Sequence, residues 1–179
     1  MSQVAPPGIA DDVLRTALER ELLADIPLAR AMQLAIPAWD GTTLAMAAPL
    51  APNINDKGCA FGGSLASMMT LAGWALVRLA VDRAGLACDI YVQDSMIRYL
   101  APVWGDFTAG ARLADADSFE DFRDALRTRG KARAGVRCMI PAAGGEPAAT
   151  LEARFVALVR GDSSPDAGNR AQSARTSVA

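Results

Sequence analysis

The chain has 179 residues, 51% hydrophobic and 21% charged, enough apolar material for one domain with a buried core and too much for wholesale disorder. Lys and Arg number 18 against 20 Asp and Glu, a formal net charge of -2, which argues against a mainly electrostatic nucleic-acid binder because such a protein needs a basic face. Histidine is absent, and that zero removes Ser-His-Asp and Cys-His catalysis, imidazole general bases and every His-containing metal site.

Met1 to Gly8 carries no basic region followed by an apolar stretch, so no signal peptide is expected and the chain reads as cytoplasmic. After an arm over residues 1–10, Asp11 to about Ala31 reads as helix, with Val13, Leu14, Ala17, Leu18 and Leu22 at helical spacing and Pro27 as an interruption. Met32–Ile36 and Thr42–Ala48 read as two strands around the turn Trp39-Asp40-Gly41. Pro49 to Phe61 lacks periodicity and holds Pro52, Asn53, Asn55, Asp56 and Gly58, the composition of a structured loop. From Gly62 to Val81 the only charge is Arg78. That length could span a bilayer, but the segment is rich in Gly, Ser and Thr and lacks flanking anchors. A helix wrapped by a sheet has the same character, so no membrane is expected.

The second half reads as sheet. Asp89–Ala101 is rich in β-formers, with Tyr91, Ile97 and Tyr99 on one parity and Ile90, Val92, Met96 and Leu100 on the other; Phe107–Leu113 follows as another strand. Ser118-Phe119-Glu120-Asp121 resembles a capping box and predicts a short helix to about Thr128. Two alternating runs, Ala132–Ile140 and Leu151–Val159, flank Gly144-Gly145 and predict an antiparallel hairpin. Residues 161–179 are polar and aperiodic and read as a disordered, dispensable tail after a single domain over 11–160. Cys59, Cys88 and Cys138 are far apart, neither a disulfide framework nor a zinc spacing, which suits a reducing compartment. One fully apolar helix with one curved antiparallel sheet to cover it predicts an α+β hotdog fold.

The stretch Asn53-Ile54-Asn55-Asp56-Lys57-Gly58-Cys59-Ala60-Phe61-Gly62-Gly63-Ser64-Leu65, continuing to Gly73-Trp74, resembles the YiiD C-terminal family of the hotdog thioesterase superfamily. Arg98–Val103, Arg129–Arg133 and Phe155–Leu158 match its later blocks in order, so the resemblance covers roughly residues 12–160. It implies a hotdog enzyme acting on a thioester carried by acyl carrier protein or coenzyme A. Family members are described as thioesterases, and some decarboxylate malonyl-acyl carrier protein. It also implies a homodimer, or a dimer of dimers, with the sites at the interface, and it implies no cofactor and no metal.

Hotdog thioesterases of the phenylacetate-pathway type carry a loop resembling Asn-x5-His-Gly-Gly, with a helix Asp nine residues after the His. On this chain the Asn falls on Asn55 and the glycines on Gly62 and Gly63, while the His falls on Phe61 and the Asp on Thr70. The polarising groups remain and the water-activating ones are replaced. Backbone N–H groups at Gly62 and Gly63 can hold an oxyanion at a helix N-terminus, and Asn55 can add an amide donor. Asn55 can equally organise its loop through Asx-type bonds, and the glycines can serve close packing. A hydrolase would need Asp56 as base, a residue that can also be a solvated turn carboxylate. Ser67 and Thr70 are substrate contacts or helix back-bonders, and Asp94 lies either on a solvated face or at the dimer site. Arg129, Lys131 and Arg133 either blunt a solvated strand edge or dock an acidic carrier or the phosphates of coenzyme A. Decarboxylation of a malonyl thioester needs only donors for the enolate and a desolvating pocket, so it is the expected activity; hydrolysis and non-catalytic acyl binding are the alternatives.

Overall fold

The computed structural model describes residues 9–160. Helix α1 (Ile9–Asp25) stops before Pro27, which opens the short α2 (Pro27–Ala31), so the interruption falls at the expected residue. The first strand starts later than its sequence pattern suggests. Leu34 N–H still bonds to the carbonyl of Ala29, and Gln33 adopts the left-handed φ of 56°. The chain is therefore finishing a helix terminus where Met32–Ile36 reads as strand, and β1 occupies Ala35–Trp39. Strand β2 (Thr43–Ala48) follows, and a 3-10 turn at Ala51–Asn53 leads through the loop into α3 (Gly62–Arg83).

Strands β3 (Cys88–Tyr99), β4 (Phe107–Leu113), β5 (Lys131–Pro141) and β6 (Pro147–Val159) complete one antiparallel sheet in the order β1-β2-β4-β5-β6-β3. Between β4 and β5 lies α4 (Phe119–Arg129). The Ser118 hydroxyl accepts the Asp121 N–H, as the capping box predicts, and Gly130 ends the helix at a left-handed φ of 65°.

The sheet curls around α3, whose Met68, Met69, Ala72, Ala75, Leu76 and Leu79 are fully buried against Ala109, Ala111, Leu151 and Phe155. Each large side chain buried this way stabilises the fold by about 1.5–3 kcal/mol relative to exposure. By length and hydropathy α3 could cross a membrane, but here it is the core helix of the sheet that wraps it. These features are the α+β hotdog architecture.

Strand β3 departs from simple alternation. Its pairing with β6 shifts between Val92, opposite Phe155, and Asp94, opposite Arg154, leaving Gln93 as a bulge. The extra residue flips the parity: Tyr91 lies on the outer face, while Ile97 and Tyr99 lie on the inner face toward α3. Asp94 lies on the outer face, exposed and beside Gln93. The predicted C-terminal tail, 161–179, and residues 1–8 of the arm lie outside the described residues.

Candidate active site

The loop before α3 is built on a buried asparagine. Asn53 is 1% exposed and donates from Nδ2 to the carbonyls of Met32 (3.0 Å) and Pro49 (2.8 Å), tying the loop to the end of α2. The loop then closes on itself. Phe61 N–H donates to the Asn53 carbonyl at 2.7 Å, Asn55 N–H to the Cys59 carbonyl at 2.8 Å, and Ala60 N–H to the Val103 carbonyl at 2.8 Å. Gly58 supplies the left-handed φ of 85° that the tight turn needs.

Asn55 is half-buried inside this turn. Its Oδ1 accepts the N–H groups of Lys57 (2.8 Å) and Cys59 (3.3 Å), and its Nδ2 donates to Cys59 Sγ at 3.3 Å. The loop-organising role is therefore present, with one Nδ2 hydrogen left for another acceptor. Asp56 points away, exposed and ion-paired with Lys57 Nζ at 3.0 Å.

Helix α3 begins with Phe61 at the N-cap, a side chain that cannot cap. The first N–H groups of the helix, at Gly62, Gly63 and Ser64, thus end the helix dipole with no capping side chain. The Phe61 ring overhangs Gly63 so closely that a Cβ there would sit 2.2 Å from a ring carbon. Beside this N-terminus is an open slot of about 350 Å³ walled by Ala60, Leu65, Leu100, Pro102 and Val103, with Tyr99 across it. Tyr99 Oη donates to the Gly62 carbonyl at 3.1 Å. Phe61, Tyr99, Leu100 and Trp104 are each more than half exposed around the slot.

Ser67 and Thr70 lie farther along α3 on its half-buried stripe with Gly63 and Trp74, the side its own sheet does not fully cover. Phe61, Gly62 and Gly63 thus stand together at the start of α3, while Asn55 lies in the preceding turn, bonded to Lys57 and Cys59. Arg129, Lys131 and Arg133 are elsewhere. Lys131 opens β5, whereas Tyr99 is joined through Ala149 to Ile140 near its end, nine residues on and about 30 Å away. The sheet order sets β5 between β4 and β6, but β4 pairs only with its Val136–Met139 stretch, so Lys131 and Arg133 lie where β5 is bonded to β6 alone, as the strand-edge reading of this cluster expects. Arg133 Nε donates to Gln93 Oε1 at 2.9 Å across the outer face.

Sequence reasoning missed Asn53 and Tyr99. Asn53 leaves no signal in sequence, because its burial comes from the turn around it. Tyr99 lies in the block Arg98–Val103 but reads there as one more alternating strand residue.

Comparison with known proteins agrees with this fold. The family described as "Putative thioesterase (yiiD_Cterm)" matches residues 15–159. A protein of unknown function from Chlorobaculum tepidum TLS is 30% identical over 84% of this chain and 97% of its own, with a TM-score of 0.78. A "putative thioesterase" from Shewanella oneidensis is 31% identical over 82% of this chain and 99% of its own, with a TM-score of 0.74. A more distant structure, a probable thioesterase of unknown function from Pseudomonas aeruginosa, shares the fold at 23% identity over 88% of this chain and all of its own, with a TM-score of 0.68.

Proposed function

The chain belongs to the YiiD C-terminal family of hotdog-fold thioesterases, and from that premise we propose that it processes acyl thioesters at the start of α3, decarboxylating malonyl-acyl carrier protein to the acetyl thioester. One observation carries the reading. The slot pairs an uncapped helix N-terminus with apolar walls, and the nearby carboxylate, Asp56, is turned to solvent and neutralised by Lys57. Such a site can stabilise negative charge, and among the described residues no base is placed in it to activate water.

In the reaction the thioester oxygen sits at the N–H groups of Gly62 and Gly63, with the spare Nδ2 hydrogen of Asn55 as a third donor. Loss of CO₂ moves an electron pair toward that oxygen, and preorganised donors are strongest where charge develops. The malonyl carboxylate lies against apolar side chains, whose poor solvation of the anion favours its release as neutral CO₂. Phe61 fills the place where a hydrolytic relative carries its His, and with Ser67 and Thr70 it lines the path of the acyl arm.

Hydrolysis is the second reading, favoured by the description of the family as thioesterases. It requires Asp56 to leave Lys57 and reach a water at the thioester carbon. Mass spectrometry of malonyl-acyl carrier protein incubated with the protein separates the two. Acetyl thioester with CO₂ marks decarboxylation, free thiol marks hydrolysis, and ligand-induced thermal stabilisation without either product marks an acyl-binding protein.

The working form is a dimer joined through β3, a 12-residue edge strand with exposed Tyr91, Val92 and Met96. Unpaired edges of this length are normally covered. Antiparallel pairing of two β3 strands directs the Lys131–Arg133 end of one copy toward the Tyr99 end of the other. That is how this basic cluster comes to serve as the dock for an acidic carrier or for coenzyme A phosphates in the cytoplasm.

A further inference from the structure

Removing CO₂ from a malonyl thioester is half of the reaction. The enolate left behind must take a proton at its carbon before an acetyl thioester can leave, and the chain contains no histidine to supply one. The other acidic groups are engaged elsewhere. Asp56 and Lys57 pair with each other in solvent, Cys59 is buried against the Asn55 amide, and Cys138 donates to the Met69 carbonyl on the far side of α3. Among the described residues that wall the slot, Tyr99 alone carries a dissociable proton.

Its placement suits that task. Tyr99 is the last residue of β3, on the inner face, with its phenol 3.1 Å from the Gly62 carbonyl. Its Cε1 lies 3.5 Å from where a Cβ on Gly62 would stand, so the ring packs at van der Waals distance over the first residue of α3. In the single chain the side chain is 56% exposed at the open side of the slot. The oxygen and the carbon to be protonated are two bonds apart in an enolate. The hydroxyl bonds the carbonyl of Gly62, the same residue whose N–H would hold that oxygen, so donor and oxyanion site share one residue.

We propose that Tyr99 is a catalytic residue, the proton donor to the enolate carbon. This rests on the decarboxylase reading above. The bond from C2 to the carboxylate breaks and its electron pair forms the C1=C2 bond, with the charge on the thioester oxygen. C2 then takes the Oη proton, the carbonyl re-forms, and water at the slot mouth returns a proton to the phenolate. Between turnovers the Gly62 carbonyl accepts the hydroxyl and holds it over the site.

The test uses the full-length protein and a malonyl-pantetheine thioester whose C2 carries one protium and one tritium in defined configuration, turned over in D₂O. The parent should give an acetyl methyl of one handedness, because a fixed donor delivers deuterium to one face. Tyr99→Phe keeps the ring against Gly62 and loses the donor. It should lower kcat about a hundredfold, at the lower end of general acid catalysis, leave KM little changed, and give a racemic methyl. A variant with the parent's rate and a single handedness overturns the proposal, as does a parent that gives a racemic methyl. If the parent itself releases neither CO₂ nor acetyl thioester, the decarboxylase reading fails first, in a result independent of any Tyr99 variant, and the inference falls with it.

Discussion

Asn55 combines two roles that can be separated by substitution. Its Oδ1 holds the 55–59 turn, while its Nδ2 has a hydrogen to spare. Asn55→Ala should lower decarboxylation by roughly a hundred- to thousand-fold, since loss of one oxyanion donor costs about 2.7–4 kcal/mol. Asn55→Asp keeps the acceptor that organises the turn but places an anion beside the enolate. It should abolish decarboxylation and preserve or raise hydrolysis, whereas Asp56→Asn should be nearly silent for the first reaction and damaging for the second. Parent-like turnover of malonyl and acyl thioesters in both Asn55 variants would reduce Asn55 to a loop residue. Two other side chains give predictions that do not depend on activity. Burial pushes the Cys138 thiol up to about 12, so it should resist alkylation at pH 8 in the folded protein and react once the protein is unfolded. Burial alone would raise the Asp40 carboxyl, but the N–H of Thr43 and the hydroxyl and N–H of Thr42 outweigh it and hold it below its ordinary value. A carboxyl lowered on folding adds stability above its unfolded pKa and loses it as pH falls through the lower folded value. Asp40→Asn should therefore depress Tm at pH 7, with the difference from the parent closing in strong acid; a constant difference across that range would contradict the assignment.

At the scale of elements, the packing of α3 on the sheet depends on Gly73. A Cβ there would stand 2.8 Å from Phe155 Cε2 and 3.3 Å from Val136 Cγ1, both side chains being buried in the core. Alanine favours a helix interior over glycine by about 1 kcal/mol, but overpacking a filled core costs about 1–3 kcal/mol. The clash is with a fully buried ring, so Gly73→Ala should lower Tm; an unchanged or raised Tm would show that Phe155 can slide aside. Gly63 is the contrasting case. Its close neighbour is Phe61, whose exposed ring can swing away, and Gly63→Ala should leave melting near the parent value while narrowing the site.

At the scale of the whole molecule, the sheet ends at β3 with its edge unpaired and apolar side chains exposed around the slot. A second copy that adds its own β3 covers both features at once. Light scattering at micromolar concentration should give at least a dimer mass, and a strictly monomeric mass would contradict the proposed assembly.

The order of elements, the apolar central helix and the two glycines that open it were readable in the residues, because hydrophobic periodicity and turn chemistry are local properties. Ser118 announced its helix for the same reason: a cap bonds within three residues. What lay beyond local pattern was decided by contacts between distant segments. Gln93 bulges because β3 must follow β6, and one extra residue turned Tyr91 outward while leaving Tyr99 inside. Arg129 ends α4 and Lys131 and Arg133 open β5, and only the pairing of β5 with β6 placed that cluster far along β5 from the site. Tyr99 met Gly62 across 37 residues. A hydrogen bond between residues so far apart in the chain leaves no periodic trace, so only the folded sheet, curled around α3, could bring the phenol to the helix end.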